Sequence, residues 1–255
     1  MFMSFDDWPL FLALVFSLFL FRYLLIPGFA YRVLWTNKNH KWSQRKIQPD
    51  DVNRQVVRAE FAWSIVSLLI FSFVAVGVFF LYHHGYTRVY ANIDDYGWGY
   101  LVFSVVLMIL VHDTYFYWIH RLMHWGPLYR SVHSVHHRFT NPTPWCSFAF
   151  HPVEAVLEVG IVPLVVLLMP AHPLAISAFL LIMTMVNVMG HLGFEIFPSR
   201  YIVRWPTRLT NTATHHNQHH QFGRCNFGIY FNFWDSVMGT NHPEYHATFG
   251  RVSKR

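Results

Sequence analysis

One stretch of 22 consecutive residues without a formal charge, Phe61–Tyr82, constrains this chain more than any other feature. An apolar segment of about 20 residues is long enough to cross the hydrocarbon core of a bilayer as one α-helix. Pro9–Pro27 is similar and holds a single charge, Arg22, whose long side chain can reach the membrane interface. Because 54% of the 255 residues are hydrophobic and 13% are charged, the composition excludes an ordinary soluble domain and predicts a polytopic membrane protein.

Three further apolar segments extend this interpretation. Gly97–Val111 is a third candidate span, whereas Val153–Met169 and Leu174–Gly190 are shorter and joined by "PAHP", which predicts a helical hairpin that need not cross the bilayer fully. The start, "MFMSFDDWP", lacks the basic region of a signal peptide, so the first helix is predicted to be an anchor. We predict an all-α polytopic membrane protein with four to five membrane helices and a helical cap. No internal repeat appears, so residues 1–255 are interpreted as one domain.

Basic residues are distributed unequally between the two sides. Sixteen lie in Thr36–Glu60, in His120–Pro152 and from His191 onward, whereas the opposite loop, His83–Tyr96, carries only Arg88. The positive-inside rule places the first three segments on the cytoplasmic side and the N-terminus outside, in a bacterial inner membrane or the endoplasmic reticulum. The net charge of +6 follows from this topology. The basic residues form no nucleic-acid-binding module.

The placement of the 18 histidines carries the chemical information. "HRLMH" forms a first box, "HSVHH" a second box and "HNQHH" a third box, with spacings that predict one helix face for each. Their members are His120 and His124; His133, His136 and His137; and His216, His219 and His220. Eight imidazoles exceed the needs of one metal ion and predict two sites with four or five ligands each and an open position. Iron, copper, zinc and nickel all accept such ligands.

The boxes and their surroundings resemble the fatty acid hydroxylase/sterol desaturase superfamily. The similarity extends from about His112 to Thr240 and includes "DTYFYWIHRLMH" and "NFGIYFNFWDSVMGT", while "PTPWCSFAFHPVEA" resembles sterol C5-desaturases. The resemblance implies a non-haem di-iron enzyme that uses O2 and external electrons. It implies that the eight box histidines bind the metals and that His191 adds a ninth ligand. Asn187 is a further candidate, as a weak or water-mediated ligand or as a polar helix-end residue.

Four other residues are candidates for support of the ligands. Asp113 lies two helical turns before the first box and is expected either to hydrogen-bond a ligating imidazole or to be structural. His151 and Glu154 are expected to support the site or line the substrate channel, with Glu154 pairing with the His151 ring or capping the helix. Asp235 is expected to orient a third-box histidine or to tie the C-terminal fold together.

The remaining histidines fall outside the predicted ligand set. His112 points about 80° away from the first box, and His215 falls off the ligand face, where solvation in a loop is expected. Five others have no partner at ligand spacing and are expected to be interfacial or exposed: His83, His84, His172, His242 and His246. The two cysteines, Cys146 and Cys225, form no paired framework and are expected to be reduced and inert.

A lipid is the substrate expected for a site that is reached from the bilayer. We expect desaturation or hydroxylation of a sterol or related isoprenoid, with a fatty-acyl or sphingolipid hydroxylase as the alternative. No flavin motif or cysteine cluster is evident, so a cytochrome b5, a ferredoxin or a reductase is the expected electron donor. An intramembrane zinc hydrolase would need a base as in HExxH, which this chain lacks. A non-enzymatic metal transporter would place its ligands within the spanning helices.

Overall fold

Long apolar helices dominate the computed structural model, which describes residues 7–36 and 41–254. Four segments are long and apolar enough to cross a membrane: Trp8–Thr36, Arg54–His83, Gly97–Met123 and Pro173–Gly190. The described residues contain no β-strand, only isolated bridges. The all-α prediction with four membrane helices is therefore confirmed, while Lys38 and Arg255, two of the basic residues counted above, lie outside the described residues.

The described chain contains eleven α-helices. The four long ones are α1 (Trp8–Tyr31), α2 (Arg54–His83), α3 (Gly97–Met123) and α8 (Pro173–Gly190). The shorter ones are α4 (Gly126–Leu128), α5 (Ser134–His137), α6 (Pro152–Val159), α7 (Ile161–Leu168), α9 (Ala213–Phe222), α10 (Phe233–Val237) and α11 (Tyr245–Ser253).

Local sequence explains where several of these helices begin and end. The Asn53 side chain accepts a hydrogen bond from the amide of Gln55 at the start of α2, as an N-cap does. The side chain of His172 caps α8, and proline follows as its first residue. Gly223, with φ of +68°, ends α9 in the left-handed conformation that glycine adopts without strain.

The predicted hairpin differs between its two arms. The first arm divides into α6 and α7, eight residues each, at Gly160. Helices of this length are too short to cross a bilayer. The second arm is α8, which is long and apolar enough to span. The first turn of the short arm instead contacts the second histidine box through Glu154.

Polar groups between α1, α2 and the 3₁₀-helix Pro144–Phe148 fix the position of that segment. Both Tyr23 and Ser64 donate to the carbonyl oxygen of Trp145, at 2.8 and 2.9 Å. The fully buried Glu60 accepts hydrogen bonds from the backbone and hydroxyl of Thr143. Polar groups that are shielded from water need such partners, so these bonds hold the segment between the second box and α6 in one place.

The cap is fastened to the membrane helices by α9 and the segment after α8. The buried carboxylate of Glu195 accepts hydrogen bonds from the amide and the hydroxyl of Thr214, at 3.1 and 2.7 Å. The amide of Ile47 donates to Gly193, and the amide of Glu195 donates to Arg45. A methyl group on Gly193 would lie 2.5 Å from the ring of Trp35, so the close approach of this loop depends on glycine.

Candidate metal centre

The first box lies where α3 ends. His120 is buried in the last turn, and His124 is the C-cap residue directly after Met123. The Nδ1 atom of His120 donates to the carbonyl oxygen of Phe227 at 2.9 Å. The end of a membrane-spanning helix thus directs two imidazoles into the cap.

The other two boxes lie on short helical elements that face this end. A π-helical turn, Tyr129–His133, continues into α5, and the second box spans the two. Such turns are rare and are frequent at functional sites. The third box lies on α9, in which the residues from Ala213 to His220 are buried. His191 follows α8 directly and faces α9.

The nine predicted ligands come together in two groups. Within each group, one ring nitrogen of every histidine lies within 4.8 Å of those of the others. The first group consists of His120, His124, His133, His137 and His219, and the second group of His136, His191, His216 and His220. Groups of five and four histidines match the prediction of two metal sites with four or five ligands each.

The two longer boxes each contribute to both groups. In the second box the histidines at i and i+4 belong to the first group, whereas His136, at i+3, belongs to the second. The third box is arranged the other way round, because only its i+3 member, His219, belongs to the first group. The prediction that a box points in a single direction therefore holds for the first box, whose two histidines both belong to the first group, and is wrong for the second and third boxes.

Six of the nine imidazoles are held through Nδ1. Each of these Nδ1 atoms donates to an oxygen at 2.6 to 3.3 Å. The acceptors are Phe227 O for His120, Glu154 Oε1 for His133, Ala149 O for His136, Asn187 O for His191, Cys225 O for His219 and Phe139 O for His220. A proton on Nδ1 leaves the Nε2 lone pair free, the arrangement that metal-binding histidines adopt.

Nε2 atoms then face one another at short distances. The Nε2 atoms of His120 and His133 are 3.1 Å apart, and His191 Nε2 lies 3.4 Å from His136 Nε2 and 3.2 Å from His220 Nε2. Because both rings of each pair carry their proton on Nδ1, two lone pairs meet, and only a cation between them makes the approach favourable. Metal–nitrogen bonds of about 2.1 Å put neighbouring ligand nitrogens about 3.0 to 3.4 Å apart. The donor set fits one metal ion in each group.

The interior position keeps these imidazoles neutral. Burial lowers the pKa of His137 to about 3 and that of His191 to about 4. Burial, with the neighbouring imidazoles, lowers the pKa of His216, His219 and His220 well below the usual value. Neutral imidazoles bind metal without first releasing a proton.

Glu154 supports the first group directly. Its Oε1 lies 2.8 Å from Nδ1 of His133, and both side chains are buried. The expected pairing with the His151 ring does not occur, because that ring caps α6 through the amide of Val153. The Glu154 carboxyl also interacts with the backbone of His151, the N-cap residue of α6, as the expected cap would. Burial raises the pKa of the Glu154 carboxyl well above its usual range.

The other supporting candidates act through the backbone. Asp113 accepts hydrogen bonds from the backbone amides of Tyr230 and Phe231. Of its two expected roles, the structural one therefore fits, since it bonds no histidine of either group. Asp235 accepts from the amide of Phe227, whose carbonyl oxygen holds His120. It ties the C-terminal segment together, with no contact to a histidine of either group.

The side-chain amide of Asn187 bonds a backbone carbonyl group and no histidine of the second group. Its side-chain amide donates to the carbonyl oxygen of Ser147 at 2.5 Å. Its own carbonyl oxygen accepts from Nδ1 of His191 at 2.7 Å. Asn187 therefore orients a candidate ligand through its backbone, which no feature of its side chain signals in the sequence. The same holds for the carbonyl groups of Phe139, Ala149 and Cys225.

Two of the remaining histidines differ from expectation. His215 is fully buried in α9, with Nε2 3.7 Å from Asp235 Oδ2, and so is not solvated, although it does fall outside both groups. His172 is buried, and both of its ring nitrogens have partners: Nε2 donates to the carbonyl oxygen of Ala91, and Nδ1 caps α8. The other residues of that set, His83, His84, His242 and His246, are exposed or partly exposed, and both cysteines are buried free thiols.

A cavity of about 500 Å³ lies between the membrane helices, next to the histidine groups. Its wall is mainly apolar and is formed by α1, α2, α3, α6, α7 and α8. Three wall residues touch the histidines: the Phe116 ring lies 5.0 Å from that of His120, the Phe150 ring 5.1 Å from that of His136, and the Asn187 carbonyl holds His191. The cavity thus ends one side chain away from both groups.

Helices of membrane-spanning length with two facing groups of histidines define an integral membrane protein with two candidate metal sites. A model of the fatty acid hydroxylase family matches residues 105–240, just over half of the chain. The chain therefore belongs to the fatty acid hydroxylase family, which confirms the resemblance of its boxes.

Characterised relatives are sterol-oxidising enzymes. The chain is 33% identical over 198 residues to lathosterol oxidase of Mus musculus, which covers 76% of this chain and 64% of the relative. It is 31% identical over 192 residues to a Delta(7)-sterol 5(6)-desaturase of Gibberella zeae, with 75% and 56% covered. A methylsterol monooxygenase of Aspergillus fumigatus is 33% identical over 145 residues, with 55% and 47% covered. The chain thus matches about half to two thirds of the length of these relatives. No solved structure matches it.

Proposed function

We propose that this protein uses O2 to oxidise an unactivated C–H bond of a sterol or related isoprenoid, by desaturation or hydroxylation. The observation that carries the proposal is the apolar cavity that ends one side chain away from both histidine groups. A metal site for storage or transport needs no such cavity, whereas an enzyme that acts on a lipid does.

The shape of the cavity supports an elongated lipid. Along α8 it extends from Pro173 to Asn187, fourteen residues or about 21 Å of helix. Leu18 of α1 lines the cavity and is 61% exposed, so the cavity is open on the side of α1. A lipid can therefore enter sideways from the bilayer. The names of the relatives favour a sterol over the alternative, a fatty-acyl lipid or sphingolipid.

The nine histidines of the two groups are proposed to hold two iron ions, with the side chain of Asn187 outside the ligand set. When bound, paired ferrous ions supply the electrons and Lewis acidity with which O2 is activated. Desaturation removes two hydrogen atoms from adjacent carbons and, with O2, two electrons and two protons, yields an alkene and two waters. Hydroxylation with the same electrons and protons yields an alcohol and one water.

The residues of this chain then have three tasks. Oxygen acceptors on Nδ1, such as Glu154 and the carbonyl group of Phe227, orient the imidazoles. The rings of Phe116 and Phe150 separate the histidines from the cavity and exclude water. The apolar wall positions the carbon that is to be oxidised, because effective reaction requires reacting atoms that are held in place.

Electrons must come from another protein. We propose a cytochrome b5, a ferredoxin or a reductase that docks on the cytoplasmic side, where the basic loops and the histidine boxes are proposed to lie. The membrane is that of the endoplasmic reticulum or a bacterial inner membrane. Residues 1–255 are proposed to act as one domain.

The test is metal content and Mössbauer spectroscopy of detergent-purified protein from cells grown in labelled iron, followed by turnover of sterols with and without O2. Two irons per chain and an O2-dependent product with one C=C bond more or one oxygen more support the proposal. One zinc per chain after iron-replete growth, with turnover that persists without O2, would establish the hydrolase alternative instead. Products from acyl lipids but not sterols would move the substrate class to the alternative named above.

A further inference from the structure

Glu158 is a carboxylic acid in the wall of an otherwise apolar cavity. It lies at the end of α6, lines the cavity and remains partly exposed toward it. Among the residues that the structure describes, it makes no hydrogen bond and no ion pair. Burial raises the pKa of Glu158 to about 8, so near neutral pH most of it is the uncharged acid, which both donates and accepts a hydrogen bond.

Two other polar residues of the same wall, Arg22 and Asn187, already have partners. Arg22 lies 5.1 Å above the Phe19 ring, and its guanidinium donates to the carbonyl oxygen of Leu180 at 3.5 Å. The amide of Asn187 donates to Ser147. Nδ1 of His112 lies 2.9 Å from the hydroxyl of Tyr230, whereas its Nε2 has no partner among the described residues. An unpartnered polar group in an apolar environment is costly unless a ligand satisfies it. Glu158, with both carboxyl oxygens unpartnered, therefore gains more from a polar group on the ligand than His112, which has one unpartnered nitrogen.

Its position relative to the histidines is set by two helices. Glu158 lies one turn after Glu154, about 6 Å along α6, and Glu154 contacts His133. From α3, Tyr115 donates to the carbonyl oxygen of Leu157, and Tyr115 lies five residues or about 7.5 Å before His120. An oxygen bound at Glu158 is thus close to the reacting end of the cavity, and the long apolar part is left for hydrocarbon.

We propose that Glu158 binds the hydroxyl group of the sterol substrate and so selects which ring carbon faces the histidine groups. The inference rests on the proposed function, because it requires a sterol in this cavity. The carbonyl oxygen of the neutral acid accepts a hydrogen bond from the sterol hydroxyl, and the O–H of the acid donates one to the hydroxyl oxygen. The hydroxyl end of the sterol then points toward the cap, and its side chain points toward Pro173.

The test compares two probes, cholest-7-en-3β-ol and its 3-deoxy analogue cholest-7-ene, for binding to iron-loaded protein in nanodiscs. The wild type is expected to bind the alcohol about 5- to 15-fold more tightly, the effect of one to two net hydrogen bonds. Glu158→Leu is expected to bind the two probes equally. Glu158→Gln, whose amide also donates and accepts, is expected to retain most of the preference.

Two controls separate the inference from the proposed function. Arg22→Met changes a polar residue of the same wall and is expected to retain the wild-type preference. Iron content of the Glu158 variants is expected to equal that of the wild type, since Glu158 contacts no histidine of either group. A Glu158→Leu variant that contains iron and still prefers the alcohol overturns the assignment of Glu158. A wild-type protein that neither binds nor oxidises either sterol overturns the proposed function, and the inference with it.

Discussion

Removal of two histidines from the third box tests whether the two groups are independent metal sites. His216 and His220 both belong to the second group, which would keep only His136 and His191. The first group would keep its five imidazoles, including His219 from the same box. We expect the double variant His216→Ala, His220→Ala to fall from two irons per chain to one.

The size of the effect follows from the number of ligands lost. Four-ligand structural zinc sites bind their metal with about 10 to 16 kcal/mol, or about 2.5 to 4 kcal/mol per ligand, and this is an upper figure for iron, which such ligands bind more weakly. Two lost ligands therefore weaken the second site by about 5 to 8 kcal/mol, roughly 10⁴- to 10⁶-fold. Metal analysis with Mössbauer spectroscopy on protein that remains monodisperse in detergent measures the loss.

The matched control removes the same number of histidines but one from each group. In His136→Ala, His219→Ala the second group keeps three imidazoles and the first keeps four, and three protein ligands are enough for a metal site. This variant is expected to retain about two irons when iron is in excess. Equal losses in the two double variants would refute the division into groups and show that each box acts as a unit.

Three further predictions concern the supporting residues and the effect of pH. Glu154→Leu removes the acceptor of His133 and is expected to weaken iron binding at one site by about 10- to 100-fold. Glu154→Gln keeps an acceptor and is expected to have a smaller effect. Iron titration measures both, and equal iron affinities of the two variants would contradict the orienting role of Glu154. Asp235→Asn replaces an acceptor of two backbone amides and is expected to cost about 1.5 to 3 kcal/mol, seen as a lower unfolding midpoint; an unchanged midpoint would argue against it. Iron-free protein is expected to lose stability as the pH falls below about 6.5, because His137 and His191 remain neutral in the folded state but become protonated in the unfolded state. The free energy of unfolding falls by about 1.4 kcal/mol per pH unit for each histidine, until the pH reaches their lowered pKa values of about 3 and 4. An unfolding midpoint that does not change between pH 7.5 and 5.5 would contradict the burial of neutral imidazoles.

The membrane helices and the histidine set follow from local features of the sequence. Uncharged segments such as Phe61–Tyr82 predict α2, since length and apolarity decide whether a helix can span. Box spacing and family resemblance predict the nine histidines that the structure brings together. His191, which belongs to no box, was found through resemblance alone. Its role as a ligand remains a prediction.

Residues that act through distant contacts could not be predicted in the same way. The partner of Glu154 is His133, 21 positions earlier, and no local pattern announces a contact of this kind. Carbonyl acceptors such as that of Phe227 are invisible in sequence, because every residue has one. The prediction that His215 is solvated is wrong because a short helix normally has one exposed face, whereas the residues of α9 from Ala213 to His220 are all buried.

The HxxHH spacing itself explains why a box serves two sites. In an α-helix each residue turns by about 100°, so the histidines at i and i+4 differ by about 40°, while the one at i+3 lies about 60° on the other side of i. In α9 this places His216 and His220 toward the second group and His219 toward the first. The second box has the opposite arrangement, so two helical elements each contribute to both groups. Such crossing fixes the distance between the groups through rigid backbone rather than through loops. This arrangement favours one paired metal site over two separate sites, because a shift of either helical element moves histidines of both groups together.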